Sequence, residues 1–329
     1  MRGNEELIQR LALKRRRQLG SMSEEAYAEL ELAVREDPMR FVDDDEDEAF
    51  RLVVQALAQI DERQHDDDLL DDAQYLEERT RRLGALGNAC AHALELDENC
   101  VDAALLLTLS KDLSPNMALE ALLELERNVN TREGAVEPSV AGDAWTNVFE
   151  RPRLRLSDSI ARLCLCTARY RVARDRCVDM LAKAPLDVLG ARLTCVLAMA
   201  RLEDEDGFHW LEARESHRGN AWFHLGRALL MYKLGRMPAA RRAIRGFDRL
   251  CVGGAYALLQ PVFVDLYLPD RPAFEPQTFT ESVLAVHEAD PIISDVPDFA
   301  AWTCDQPGFL ASAQDYARRN GMGWREWEQ

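Results

Sequence analysis

From Glu46 to Glu62 apolar residues fall at positions 49, 50, 53, 54, 57 and 60, a three-and-four spacing that predicts a helix with one buried face. The pattern resumes from Leu69 to Leu96, where Leu76, Leu83, Leu86, Cys90 and Leu94 share a side. Val101 to Leu113 is almost continuously apolar and predicts a central helix, and Ser114-Pro115 starts another that runs through Leu125. Upstream, Ser23 precedes Glu24 to Glu36, and Asp37-Pro38 follows, which reads as a capped helix with a proline stop. Thr131 to Asp143, with Gly134, Pro138 and Gly142, is the one long stretch without periodicity and reads as an internal linker.

From Arg153 onward the predicted helices are short and regular. They are joined at Ala168 to Val172, Ala184 to Asp187, Glu203 to Gly207, Ser216 to Asn220, Gly235 to Pro238 and Gly253-Gly254. Such short amphipathic segments cannot each bury an apolar face alone, so they are expected to stack on their neighbours. Ala221-Trp222 recurs as Ala255-Tyr256 thirty-four residues later, the tetratricopeptide interval. The expected fold is all-α: a right-handed helix-turn-helix solenoid with an irregular helical N-terminal extension. Four parts are expected: a partly mobile extension (1–45), N-terminal helical repeats (46–130), an irregular linker (131–150) and tetratricopeptide-like repeats with C-terminal capping helices (151–329).

Within the repeat that opens at Asn220, Trp222-x-x-Leu225-Gly226 matches the opening of the tetratricopeptide pattern, and Gly235 to Ala240 matches its inter-helix turn and small packing residue. Gly226 to Gly235 is two residues longer than usual, so the first helix should be extended by half a turn. A weaker repeat starts at Arg153, with Ile160-Ala161 in place of Leu-Gly, Ala173 as the small residue and Pro185 closing it. Together with Glu150-Arg151-Pro152, Pro185-Leu186-Asp187, Ala93 to Ala103 and Ala301-Trp302-x-x-x-x-Pro307-Gly308, these features resemble bacterial relatives of the suppression-of-tumorigenicity-seven family of tetratricopeptide proteins. The resemblance covers residues 46 to 318. It implies a helical repeat fold and no particular enzymatic activity.

Charge changes the picture. The 329 residues carry 40 Lys and Arg against 58 Asp and Glu, a net −18, which disfavours general binding to nucleic acid or anionic lipid. The imbalance is local, however. Residues 151–251 hold 20 basic and 11 acidic side chains, a net +9, whereas residues 21–80 hold 5 and 21. The acids concentrate in the runs Asp43 to Glu48 and Asp66 to Asp72, either as solvated helix starts or as an intramolecular cover for the basic centre. The Leu7 to Leu13 segment is interrupted by charge, so no secretory signal is expected, and no stretch of apolar residues is long enough to cross a membrane. Eight cysteines without a Cys-x-x-Cys pair point to reduced thiols in a cytoplasm.

No catalytic signature is present: His-Glu-x-x-His, phosphate-loop, Gly-x-Gly-x-x-Gly and Gly-x-Ser-x-Gly motifs are all missing from the sequence. No metal, cofactor or catalytic residue is therefore expected. In tetratricopeptide arrays the first helix of each pair lines a groove; the corresponding offsets select Arg155, Arg162, Asn220 and Arg227, and Arg201 lies near the end of the intervening first helix. Forked guanidinium donors suit carboxylates, so the expected ligand is an acidic peptide or tail held by a non-enzymatic scaffold. Two alternatives stay open at this point: a helical enzyme or small-ligand domain whose site motifs do not reveal, and a regulator of a nucleic-acid protein whose acid runs imitate phosphate.

Overall fold

The computed structural model describes residues 3–63, 70–132, 142–214, 219–296 and 298–325. Among these the chain is all-helical, with sixteen α-helices and no strand. It divides into two compact units, Met1–Ile160 with Leu266–Arg271, and Ala161–Asp265 with Pro272–Gln329.

In the first unit, α1 (Gly3–Leu19) packs on α2 (Glu24–Glu36) and α3 (Asp45–Arg63); α3 packs on α4 (Asp72–Leu96), α4 on α5 (Val101–Leu109), and α5 on α6 (Pro115–Arg132). The caps follow the chemistry of the residues. The Ser23 hydroxyl accepts from Ala26 N and starts α2. Asp71 accepts from Gln74 N while the Gln74 side chain accepts from Asp71 N, a reciprocal capping box that starts α4. The α3 stripe read from the sequence is the buried one: Ala49, Val53, Leu57 and Ile60 meet Leu86, Cys90 and Ala93 of α4 and Ala103 and Leu106 of α5. Phe50 and Val54, on the adjoining flank of α3, meet Leu7, Ile8, Leu11 and Ala12.

That second cluster revises the expectation for residues 1–45. Instead of a partly mobile extension, α1 contributes buried apolar side chains to the core, and α2 adds Val34. The acidic run behaves similarly. Asp44 and Asp47 accept from Lys14 Nζ of α1 at 2.6 and 2.9 Å, and Glu48 pairs with Arg51 on its own helix. The intramolecular partner of Asp43 to Glu48 is thus α1, with Arg15 facing Asp43, and not the arginine-rich centre of the chain. Of the expected linker at 131–150, residues 133–141 lie outside the described residues; Ala144–Thr146 forms one 3₁₀ turn whose start is capped by Asp143.

The helix α7 (Arg151–Cys166) contributes residues to both units. The second unit continues with α8 (Tyr170–Lys183), α9 (Ala191–Leu202), α10 (Glu205–Glu212), α11 (Ala221–Lys233), α12 (Met237–Leu250), α13 (Gly254–Leu259), α14 (Phe279–Ser294), α15 (Phe299–Cys304) and α16 (Phe309–Arg319). Sequential helices pack as neighbours: α8 on α9, α9 on α10 and α11, and α11 on α12. Trp222 is fully buried in α11 and Tyr256 is buried in α13, so the two halves of the thirty-four-residue self-match occupy comparable positions at the starts of helices. Gly235 turns the chain from α11 to α12 at φ +68°, a backbone that side chains oppose. Trp302 packs on Tyr232 and Phe299, and Trp324 on Tyr256, covering apolar rings at the end of the chain.

Candidate functional site

The five groove candidates have different fates. Arg155 lies in the first unit with 1 % exposure, where Nε and Nη2 donate to Asp102 at 2.8 and 2.7 Å and Nη1 and Nη2 donate to Glu6 at 2.9 Å each. Arg10 and Arg151 stand at the edge of the same cluster, 3.1 and 3.7 Å from Glu6. Burial alone would push the Glu6 carboxyl up, but the hydrogen bonds and charge of Arg155, with Arg10 and Arg151, hold it below the usual carboxylate range. Arg155 is accordingly a core cation with its forked donors satisfied, and it offers nothing to an external ligand.

The other four lie in the second unit. Arg162 is half-buried on α7. Asn220 caps α11, its side-chain oxygen accepting from Phe223 N. Arg227 pairs with Glu212 of α10. Arg201 stacks over the Tyr170 ring and donates through Nε to Asp295 at 2.7 Å. That hydrogen bond and charge hold the Asp295 carboxyl below its ordinary value.

Asp295 belongs to the segment that packs against these repeats. It follows α14, which packs along α11, α13 and α9. Three carboxylates of this segment, seven residues apart, each reach a donor on the repeats. Glu281 accepts from the Ala221 backbone N–H at the start of α11, Glu288 accepts from Trp222 Nε1 at 2.9 Å, and Asp295 meets Arg201. Leu284, Ala285, Ala289 and Ile292 are buried between them. Of the selected residues Arg201 is thus engaged by the carboxylate that ends α14, and Asn220 caps the helix whose first backbone N–H meets Glu281. No sequence motif marks α14 as their neighbour, although Glu281, Glu288 and Asp295 at seven-residue spacing put carboxylates on one helical stripe.

The basic excess of residues 151–251 reaches the surface on α12. This helix is strongly amphipathic: Ala240, Ile244 and Phe247 are buried, while Arg241, Arg242, Arg245 and Arg249 are exposed. At 100° per residue, positions 241, 245 and 249 form one row, with 242 beside it, and the row is about 12 Å long. No carboxylate among the described residues stands within ion-pair distance of these four; Arg245 Nε donates to the Arg241 carbonyl. Asp248 lies on the row's flank. Beyond Arg249 the row runs into exposed Leu250 and Val252 and then into a cleft of about 520 Å³ between the α12–α13 turn and α16, whose lining balances Arg249 and Arg319 against Asp248 and Asp315 beside Tyr256 and Tyr316.

Burial pushes Cys90, Cys100 and Cys251 up to about 12, so each is a protonated thiol at neutral pH. No group of His, Cys, Asp and Glu side chains among the described residues could hold a metal ion. No helix among them is long and apolar enough to cross a membrane. No protein-family model, curated protein or solved structure matches the chain.

Proposed function

We propose that the chain is a non-enzymatic protein–protein interaction module: a right-handed, tetratricopeptide-like stack of helix pairs that acts in the cytoplasm and binds an acidic segment of a partner protein. The observation that carries this reading is the α12 row, four exposed guanidiniums that meet no carboxylate among the described residues, on a chain whose net charge is −18. Arg155, Arg201 and Arg227, by contrast, each pair with a carboxylate of the same chain. The ligand site thus moves from α9 and α11, on which α14 packs, to the outer face of α12.

The acidic surroundings also favour a short ligand. A long polyanion such as nucleic acid would extend past the row and meet the negative potential of the remaining surface within a Debye length or two. A short acidic segment engages only the guanidiniums, which bind carboxylates with paired, charge-assisted hydrogen bonds.

The test uses the intact protein and a fluorescent, alanine-based helical peptide carrying three glutamates four residues apart. Wild type should bind it in an anisotropy titration, with affinity falling as salt is raised. The triple reversal R241E/R245E/R249E should abolish binding without moving the thermal midpoint, because all three side chains are exposed. Equal binding by wild type and the reversal variant, or tighter binding of a single-stranded DNA oligonucleotide of the same charge, refutes the reading.

A further inference from the structure

An acidic segment that suits the α12 row exists within this chain. On α2, Glu25, Glu29 and Glu36 are all exposed, and at 100° per residue they fall within about 40° of one another around the helix axis. They lie on the side away from Val34 and Tyr27, which pack against α1. We infer, resting on the proposed reading of α12, that the acidic partner of this row is α2 of a second copy, so that the protein self-associates through α2 of one copy and α12 of the next.

Neither stripe is neutralised within the chain. No cation among the described residues stands within ion-pair distance of Glu25, Glu29 or Glu36; the nearby Arg16 is taken by Glu24 and Arg35 by Glu5. Exposed carboxylates on other helices do have a cation one turn away, as Glu124 has Arg127, Asp179 has Lys183 and Asp315 has Arg318. Counting every charge, α2 holds five glutamates and Arg35, a net −4, and α12 holds four arginines and Asp248, a net +3. The registers also agree. Glu25 and Glu29 are four residues apart, as are Arg245 and Arg249, so antiparallel helices bring Glu25 level with Arg249 and Glu29 level with Arg245. Glu36 then falls three residues, about 4.5 Å, beyond Arg241, within the swing of an arginine side chain. This direction sets the N-terminal end of α2 beside the C-terminal end of α12, where the helix dipoles attract.

Long-range charge makes the contact selective. Two chains of net −18 repel one another, but at physiological ionic strength that repulsion is screened beyond about 8 Å, whereas guanidinium–carboxylate pairs act in direct contact. A second copy is therefore held where unlike stripes meet, and like-charged surfaces penalise other arrangements. Contact between two different stripes is heterologous, α2 of one copy meeting α12 of another. The pairs are solvent-exposed and individually weak, so the association is reversible and sensitive to salt.

Charge exchange between full-length variants tests the pairing by sedimentation velocity. In about 0.1 M salt the weight-average mass of wild type should rise with protein concentration, and in about 1 M salt it should return to that of a single chain. R241E/R245E/R249E reverses one stripe and E29K/E36K the other, sparing Glu25 in the first turn of α2. Every substituted side chain is exposed, so both variants should keep the wild-type circular dichroism. Each variant alone presents two stripes of like charge and should remain a single chain. An equimolar mixture of the two should form a complex of twice that mass, because each stripe again meets its opposite. The three-glutamate helical peptide tests the underlying reading separately, since E29K/E36K keeps α12 intact and should bind it. Peptide binding by a wild type that stays a single chain at every concentration overturns self-association and leaves the α12 reading standing. Association that persists undiminished in either variant, or the absence of the mixed complex, overturns the contact of α2 with α12. Absence of the mixed complex together with failure of E29K/E36K to bind the peptide overturns both proposals.

Discussion

Replacing Arg155 by methionine separates a core cation from a surface ligand-binding residue. The substitution keeps an unbranched apolar stem and removes four charge-assisted hydrogen bonds of 2.7 to 2.9 Å, stranding Glu6 and Asp102 at 4 % and 2 % exposure. Breaking a buried pair from one side costs about 3–5 kcal/mol, because the remaining charge keeps its desolvation penalty and loses its compensation. Arg10, 3.1 Å from Glu6 and 3.5 Å from Asp102, still neutralises part of the excess, which places the expected loss near the lower end. About 3 kcal/mol corresponds to a fall in thermal midpoint of about 6–12 °C for a unit of this size. Urea titration followed by far-ultraviolet circular dichroism measures it directly. The triple variant E6Q/D102N/R155M should regain part of the loss, since a buried ion cluster replaced as a whole leaves no unpaired charge. A loss below about 1 kcal/mol for R155M, or a triple variant less stable than the single one, would refute the core assignment.

Other consequences are also measurable. E288A leaves the buried Trp222 indole N–H without its acceptor and should cost about 1–3 kcal/mol in urea, with a changed tryptophan emission, whereas E288Q should retain most of the stability. The Glu6 carboxyl is held below its ordinary value of 4.5 in the folded chain, so its contribution is complete above that value and lost as pH falls through the lowered one. Acid unfolding of wild type should therefore steepen below about pH 4.5, and E6Q should flatten that limb; an unchanged slope in E6Q would count against the cluster. G253A places a Cβ against Phe279 and Tyr316 in a left-handed backbone and should destabilise by more than about 1 kcal/mol, visible as a lower thermal midpoint. G235A, also at positive φ but with open space around it, should cost less than G253A.

Local signals read well from the sequence because their physics is local. Ser23 caps α2, Asp37-Pro38 ends it, the α3 stripe from Ala49 to Ile60 is buried, and Gly235 turns α11 into α12. Each depends on neighbours within a turn or two of helix. Arg155 was legible as a cation but not as a core residue, because its partners Glu6 and Asp102 lie 149 and 53 positions away. The same distance hides the role of α1: Leu7, Ile8 and Leu11 are few enough to read as a loose amphipathic end until Phe50 and Val54 are seen to receive them. Asp295 and Arg201, 94 positions apart, conceal α14 as a partner of the repeats. By contrast, the α12 row is written within nine residues. Spacing alone would have selected it, had the repeat offsets not directed attention to the opposite helices.

The Glu6–Arg155 contact also orders events during synthesis. Glu6 leaves the ribosome 149 residues before Arg155 does, and at about 5–20 residues per second that interval lasts roughly 7 to 30 seconds. Throughout it the carboxylate has only Arg10, one turn away, and Leu7, Ile8 and Leu11 have no finished core beneath them until α3 emerges. A nascent chain stalled before α3 would therefore present the apolar side of α1 to whatever chaperone attends the exit tunnel, and one stalled before α7 would still leave Glu6 with only Arg10.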